Sequence, residues 1–147
     1  MDLNQITRSR AVAAAQSALS DPEGLTAEVC VLSDGAEDAC ERLDLGATPE
    51  TARQAFYDAG RRSAGLEVAV AVVSLVGHAD SLLGSGPHVC TCTMSPDGRT
   101  SYALAPVLGR YAPRVVAYGA GGPGAPGAFL LDAFFLGRSQ ALNGRFN

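Results

Sequence analysis

One stretch leaves the chain least choice: His88-Val-Cys-Thr-Cys-Thr-Met94, the four residues Ser95-Pro-Asp-Gly98, and Thr100-Ser-Tyr-Ala-Leu-Ala-Pro106. Its first arm sets His88, Cys90, Cys92 and Met94 against Val89, Thr91 and Thr93. This period of two is the signature of a strand with one buried face. Pro presets its own φ, Asp can bond back to the chain and Gly accepts a positive φ, so the four residues between the arms form a turn. The spacing predicts a β-hairpin over 88–106 with its sulfur-bearing side inward, and the other elements are placed around it.

Upstream, 4–19 reads as an Ala-rich helix ended by Pro22 and Gly24, and 27–32, rich in Val and Cys, as a short strand. Residues 36–43 read as one or two helical turns. The next helix carries the strongest end signals: Thr48 as cap, Pro49 at the first position, and Ala52, Ala55, Phe56 and Ala59 at helical spacing to about Ser63. From Leu66 the pattern changes to Val68, Val70 and Val72 interleaved with Ala69, Ala71 and Val73, a strand buried on both sides. The segment 78–87, with Gly84 and Gly86, reads as a loop. After the hairpin come a strand over 115–118, a Gly/Pro segment over 119–127 and a closing helix from Ala128 to about Leu142. These elements predict a single α+β domain over 1–147, with one mainly antiparallel sheet of about five strands and helices packed mainly on one face.

Composition narrows the function classes. A net charge of −4 argues against a protein held to nucleic acid by phosphate contacts. All eleven basic residues are Arg. Chemistry that needs an amine, such as a Schiff base or a phosphate-loop lysine, is therefore excluded. Only 18% of residues are charged, which leaves little polar surface for a monomer and predicts a homo-oligomer. The charge is also divided: residues 1–80 carry six Arg against thirteen Asp and Glu, and 81–147 carry five Arg against two Asp. The longest apolar stretch, 68–76, is far short of the roughly 20 residues that span a bilayer, and Met1 to Ser20 has no long apolar run. The expectation is a cytoplasmic protein without a membrane, its four cysteines (Cys30, Cys40, Cys90, Cys92) being free thiols, metal ligands or core fillers.

Three features bear on chemistry. His88, Cys90 and Cys92 follow one another at i, i+2 on one side of a strand, with His78 and Asp80 in the loop before them. This set offers metal ligands (His88, Cys90, Cys92) or a thiol with an imidazole (His78, His88, Cys90, Cys92), against the plainer reading of core cysteines. Neighbours two apart on a strand sit about 6.5–7 Å apart, so a shared metal would need a bulge. Gly119, Gly121 and Gly124 satisfy G-x-G-x-x-G between a strand and a helix, a pattern that cradles phosphates. Pro123 and Pro126 remove donors from that loop, and no return strand can follow, so no cofactor is assigned. Asp34, Glu37, Asp38 and Glu41 gather near the short second helix, where acids stabilise a helix start.

The leading expectation is a homo-oligomeric binding or regulatory module that contacts a second copy, a small molecule or a protein, with the last helix and the glycine segment at a contact. The alternative is a small enzyme with a His/Cys site beside the 88–106 hairpin.

Overall fold

The computed structural model describes residues 2–20, 26–33, 39–44, 48–77, 88–106, 117–121 and 127–144. In chain order they form α1 (Leu3–Ser20), β1 (Thr26–Leu32), β2 (Ala39–Asp44), α2 (Pro49–Arg62), a short 3-10 turn (Ser63–Gly65), β3 (Val70–Gly77), β4 (His88–Met94), β5 (Thr100–Pro106), β6 (Ala117–Gly121) and α3 (Ala128–Gly144). The strands make a single sheet in the order β2-β1-β3-β4-β5-β6, antiparallel at every pairing. The α+β class and the antiparallel sheet expected from the sequence are present, with six strands in place of about five.

The extra strand is β2, where the sequence predicts a helix over 36–43. Its alternation settles the matter: Ala39, Glu41 and Leu43 share one side with Val31, Val29 and Ala27 of β1, and Leu43 is buried there. Glu41 reaches Arg62 of α2 from this edge strand. Charged side chains on an edge discourage pairing with another chain. The last strand is Ala117–Gly121, shifted from the 115–118 expected, and β3 begins at Val70.

The hairpin forms as predicted. β4 pairs β5 from His88↔Pro106 to Met94↔Thr100 without interruption. The Ser95 carbonyl accepts from the Gly98 amide, and Gly98 has a φ of +90°. The Ser95 hydroxyl and the Arg99 amide donate to Asp97 and hold its carboxyl below the usual range.

Two helices cover one face of the sheet and one covers the other. On the first face α2 and α3 bring Phe56, Ala59, Leu130, Leu131 and Phe134 onto Val29, Val73, Cys92 and Met94. The two helices approach closely because each places a glycine against the other's backbone. A Cβ on Gly60 would lie 1.8 Å from the Phe134 carbonyl oxygen, and one on Gly137 would lie 2.1 Å from that of Tyr57. Thr48 caps α2 as expected, in a reciprocal box with Thr51, and Pro49 opens it. Arg138 of α3 donates to the Ser63 and Leu66 carbonyls just past the end of α2, where a cation meets the negative end of the helix dipole.

On the second face α1 lies over β3, β4 and β5. Ala11 and Ala15 pack on Val89, Ala103 and Ala105, and Leu3 and Ile6 pack on Cys30, Leu32, Val70 and Val72. The alternation predicts one buried face on β4, and its threonine side is buried as well. This burial is tolerable because the hydroxyls are paired: the Thr7 hydroxyl lies 2.5 Å from the Leu3 carbonyl oxygen and is hydrogen-bonded to the Thr93 hydroxyl at 2.8 Å. Ser74 pairs with Thr91 at 3.0 Å, and Ser101 donates to the Asn4 side chain.

Candidate functional site

The hairpin set comes first, because the sequence singles it out. Cys92 is fully buried beneath α2 and α3, and Cys90 is half-buried on the same side of β4. Burial pushes the Cys90 thiol up to about 11; burial, then the neighbouring Cys90 and Asp132, push Cys92 up to about 12. Neither thiol is ionised near neutral pH, so neither has the nucleophile that a reactive cysteine needs. The β4 register runs unbroken against both neighbours, without the bulge that would let His88, Cys90 and Cys92 converge on one metal. His88 stands opposite Gly77 and Pro106 at the strand's start. His78 and Asp80 lie outside the described residues.

The glycine pattern divides between a strand and residues outside the description. Gly119 and Gly121 belong to β6, opposite Tyr102 and Thr100 of β5, and Gly124 is not described. A phosphate cradle needs both in a loop at the helix start, and they stand in the sheet instead. The helix does begin at Ala128 as expected. Gly127 holds its entry with a φ of +85°, and its carbonyl accepts from Leu130 and Leu131.

What the sequence did not bring together is Glu28, Cys30 and Cys40. Cys30 and Cys40 are register partners on β1 and β2, with Cα atoms 4.1 Å apart, and their sulfurs form a disulfide. This corrects the expectation that all four cysteines are free thiols, metal ligands or core fillers; Cys90 and Cys92 stand outside the disulfide. Glu28, two residues before Cys30, shares its side of the sheet and brings an Oε1 to 3.4 Å from the Cys30 Sγ. Their ligand atoms all lie within 4.8 Å of one another. Cys30 is buried against Leu3 and Ile6 of α1, whereas Glu28 and Cys40 are exposed at the sheet edge. A ten-residue separation hid the pair, since 36–43 read as helix.

The outer surface of α3 is the remaining candidate. Phe129, Asp132 and Leu136 follow one another at i, i+3 and i+7 on its exposed side, and Phe129 and Leu136 are 48% and 45% exposed. Leu136 borders a groove shared with Glu50, Arg53, Gln54 and Tyr57 of α2. The Tyr57 hydroxyl donates to Gln140 across the two helices. Among the described residues, no helix is long and apolar enough to cross a membrane.

No family model, curated protein or solved structure matches the chain.

Proposed function

We propose that the protein is a homo-oligomeric binding or regulatory module whose copies meet through the outer face of α3 and the adjoining side of α2. The observation that carries this reading is the pair of large apolar side chains that α3 holds on its outer side, beside Asp132 and Ser139. Leu130, Leu131, Ala133, Phe134 and Gly137 are buried on its inner side, and Phe129 and Leu136 stand exposed on its outer side. A helix apolar on both sides is at home when both are covered. The occupant is a second copy. The face carries the anions Asp132 and Glu50 beside the exposed cation Arg53, and a two-fold pairing that sets each copy's Asp132 toward the other's Arg53 matches opposite charges. Module and setting go together: a cytoplasmic protein, acidic overall and away from nucleic acid, that receives a small molecule or protein once assembled.

An enzyme built on the hairpin thiols has less to stand on, because Cys92 is buried, Cys90 is half-buried, and burial raises both thiols.

Burying a half-exposed Phe is worth roughly 1 kcal/mol per copy and twice that for a symmetric pair. Phe129→Glu should therefore weaken association by at least about tenfold. Light scattering on size-exclusion fractions at high micromolar concentration checks this: the wild type runs as a dimer or larger, and Phe129→Glu and Leu136→Glu run as monomers with unchanged circular dichroism. A monomeric wild type at that concentration would sink the proposal.

A further inference from the structure

We propose that Glu28, Cys30 and Cys40 form a redox-gated site for a thiophilic divalent cation of the Zn2+ class, closed as the disulfide and opened by a dithiol reductant. The site lies on the α1 side of the sheet edge, away from the outer face of α3, so it stands or falls independently of the self-association reading.

The donors suit the ion. Two cysteine sulfurs and one carboxylate are a borderline-soft set of the kind zinc takes, and three protein ligands leave a fourth position open. The backbone already brings them together: Cys30 and Cys40 are opposite each other in the ladder, and the Glu28 carboxylate reaches the Cys30 sulfur at 3.4 Å. Zinc–sulfur bonds of about 2.3 Å in a tetrahedron set the two sulfurs roughly 3.7 Å apart. Side-chain rotation on facing residues supplies that separation without moving either strand. Cys30 is 3% exposed and fixed by its packing on α1, while Cys40 and Glu28 are exposed, so an ion can enter from solvent. Arg42 stands opposite Glu28 in the ladder, on the same side of the sheet.

The chemistry balances in two steps. A dithiol reductant delivers two electrons and two protons to the Cys30–Cys40 bond, which breaks to two thiols as the reductant closes to its own disulfide. The cation then replaces both thiol protons, which pass to solvent, and takes the Glu28 carboxylate as its third ligand.

Cobalt(II) serves as an optical probe for this site in the full-length chain, reduced with a phosphine and freed of metal. The expected result is thiolate-to-cobalt charge-transfer absorption that saturates at equimolar metal and is bleached by Zn2+. The oxidised chain and Cys40→Ser should show none, Glu28→Gln should bind at least roughly tenfold more weakly, and Cys90→Ala should match the wild type. Zn2+ should also slow alkylation of Cys40 in the reduced wild type, a readout that needs no variant to fold. Absence of charge-transfer absorption in the reduced wild type, its persistence in Cys40→Ser, or alkylation unaffected by Zn2+ would each overturn the proposal.

Discussion

Replacing Gly137 with alanine tests what holds α2 and α3 at their present separation. The added Cβ would lie 2.1 Å from the Tyr57 carbonyl oxygen, and the equivalent change at Gly60 would lie 1.8 Å from that of Phe134. Ordinary carbon–oxygen contact is about 3.3–3.6 Å, so the helices must part by more than about 1 Å. Both obstacles are helix backbone, which cannot rotate aside as a side-chain tip does. A gap of that size forfeits up to about half of the dispersion energy across the contact, and overpacking of a fitted core costs about 1–3 kcal/mol or more. Against this, alanine gains about 1 kcal/mol of helix propensity over glycine. The net expectation for either variant is a loss of about 2 kcal/mol, a fall in Tm of roughly 4–8 °C for a chain of this size. Urea and thermal unfolding followed by circular dichroism measure it. Gly144→Ala, at the end of α3 with nothing within 4 Å, is the control and should be neutral or slightly stabilising. If Gly137→Ala melts at or above the wild-type temperature, the close glycine contact is not what sets the helix spacing.

Other elements give separate tests. Gly98→Ala places a side chain at a φ of +90° with nothing within 4 Å, so its cost is purely conformational, about 1–2 kcal/mol, read as a lower urea midpoint at constant slope. With thiols pushed up to about 11 and 12, Cys90 and Cys92 should resist alkylation at neutral pH in the native chain and react only as it unfolds; labelling at the rate of a free thiol would contradict their burial. Thr7→Val strands the buried Thr93 hydroxyl and should cost about 1–3 kcal/mol, whereas adding Thr93→Val should restore part of it, since neither hydroxyl then lacks a partner.

The parts legible in the sequence are those whose causes are local. Thr48 and Pro49 act within one turn of each other, and Ser95-Pro-Asp-Gly98 closes on itself, so cap and hairpin can be read directly. The alternation of sulfur and threonine on β4 was legible as a strand, but its depth was not. Thr91 and Thr93 resemble a wet face until α1, more than eighty residues away, supplies the Thr7 hydroxyl. The same limit hid β2. Its six residues carry a helix-compatible composition, and only the ladder with β1 reveals Cys40 opposite Cys30. Gly60 and Gly137 give a fainter signal. Each is an isolated glycine inside a helical pattern, a cue for close packing that does not name the neighbour.

The arrangement of helices on the two faces bears on whether the proposed cation site and the proposed oligomer contact communicate. The disulfide ties β1 to β2 on the α1 side, and the Phe129–Leu136 surface belongs to α3 on the other. A polar contact from β2 to the α2 and α3 side is the ion pair of Glu41 with Arg62, whose side chains are both about half exposed. An exposed pair contributes about 0–1 kcal/mol, and a coupling between two sites cannot exceed the difference that its carrier senses. Reducing Cys30–Cys40, with or without zinc, should therefore change the self-association constant by less than about fivefold. Sedimentation equilibrium of oxidised, reduced and zinc-loaded chain measures this directly. A larger shift would mean that β1, fixed between β2 and β3 in the same ladder, transmits a rearrangement through Val29 and Val31 to the core beneath α2 and α3.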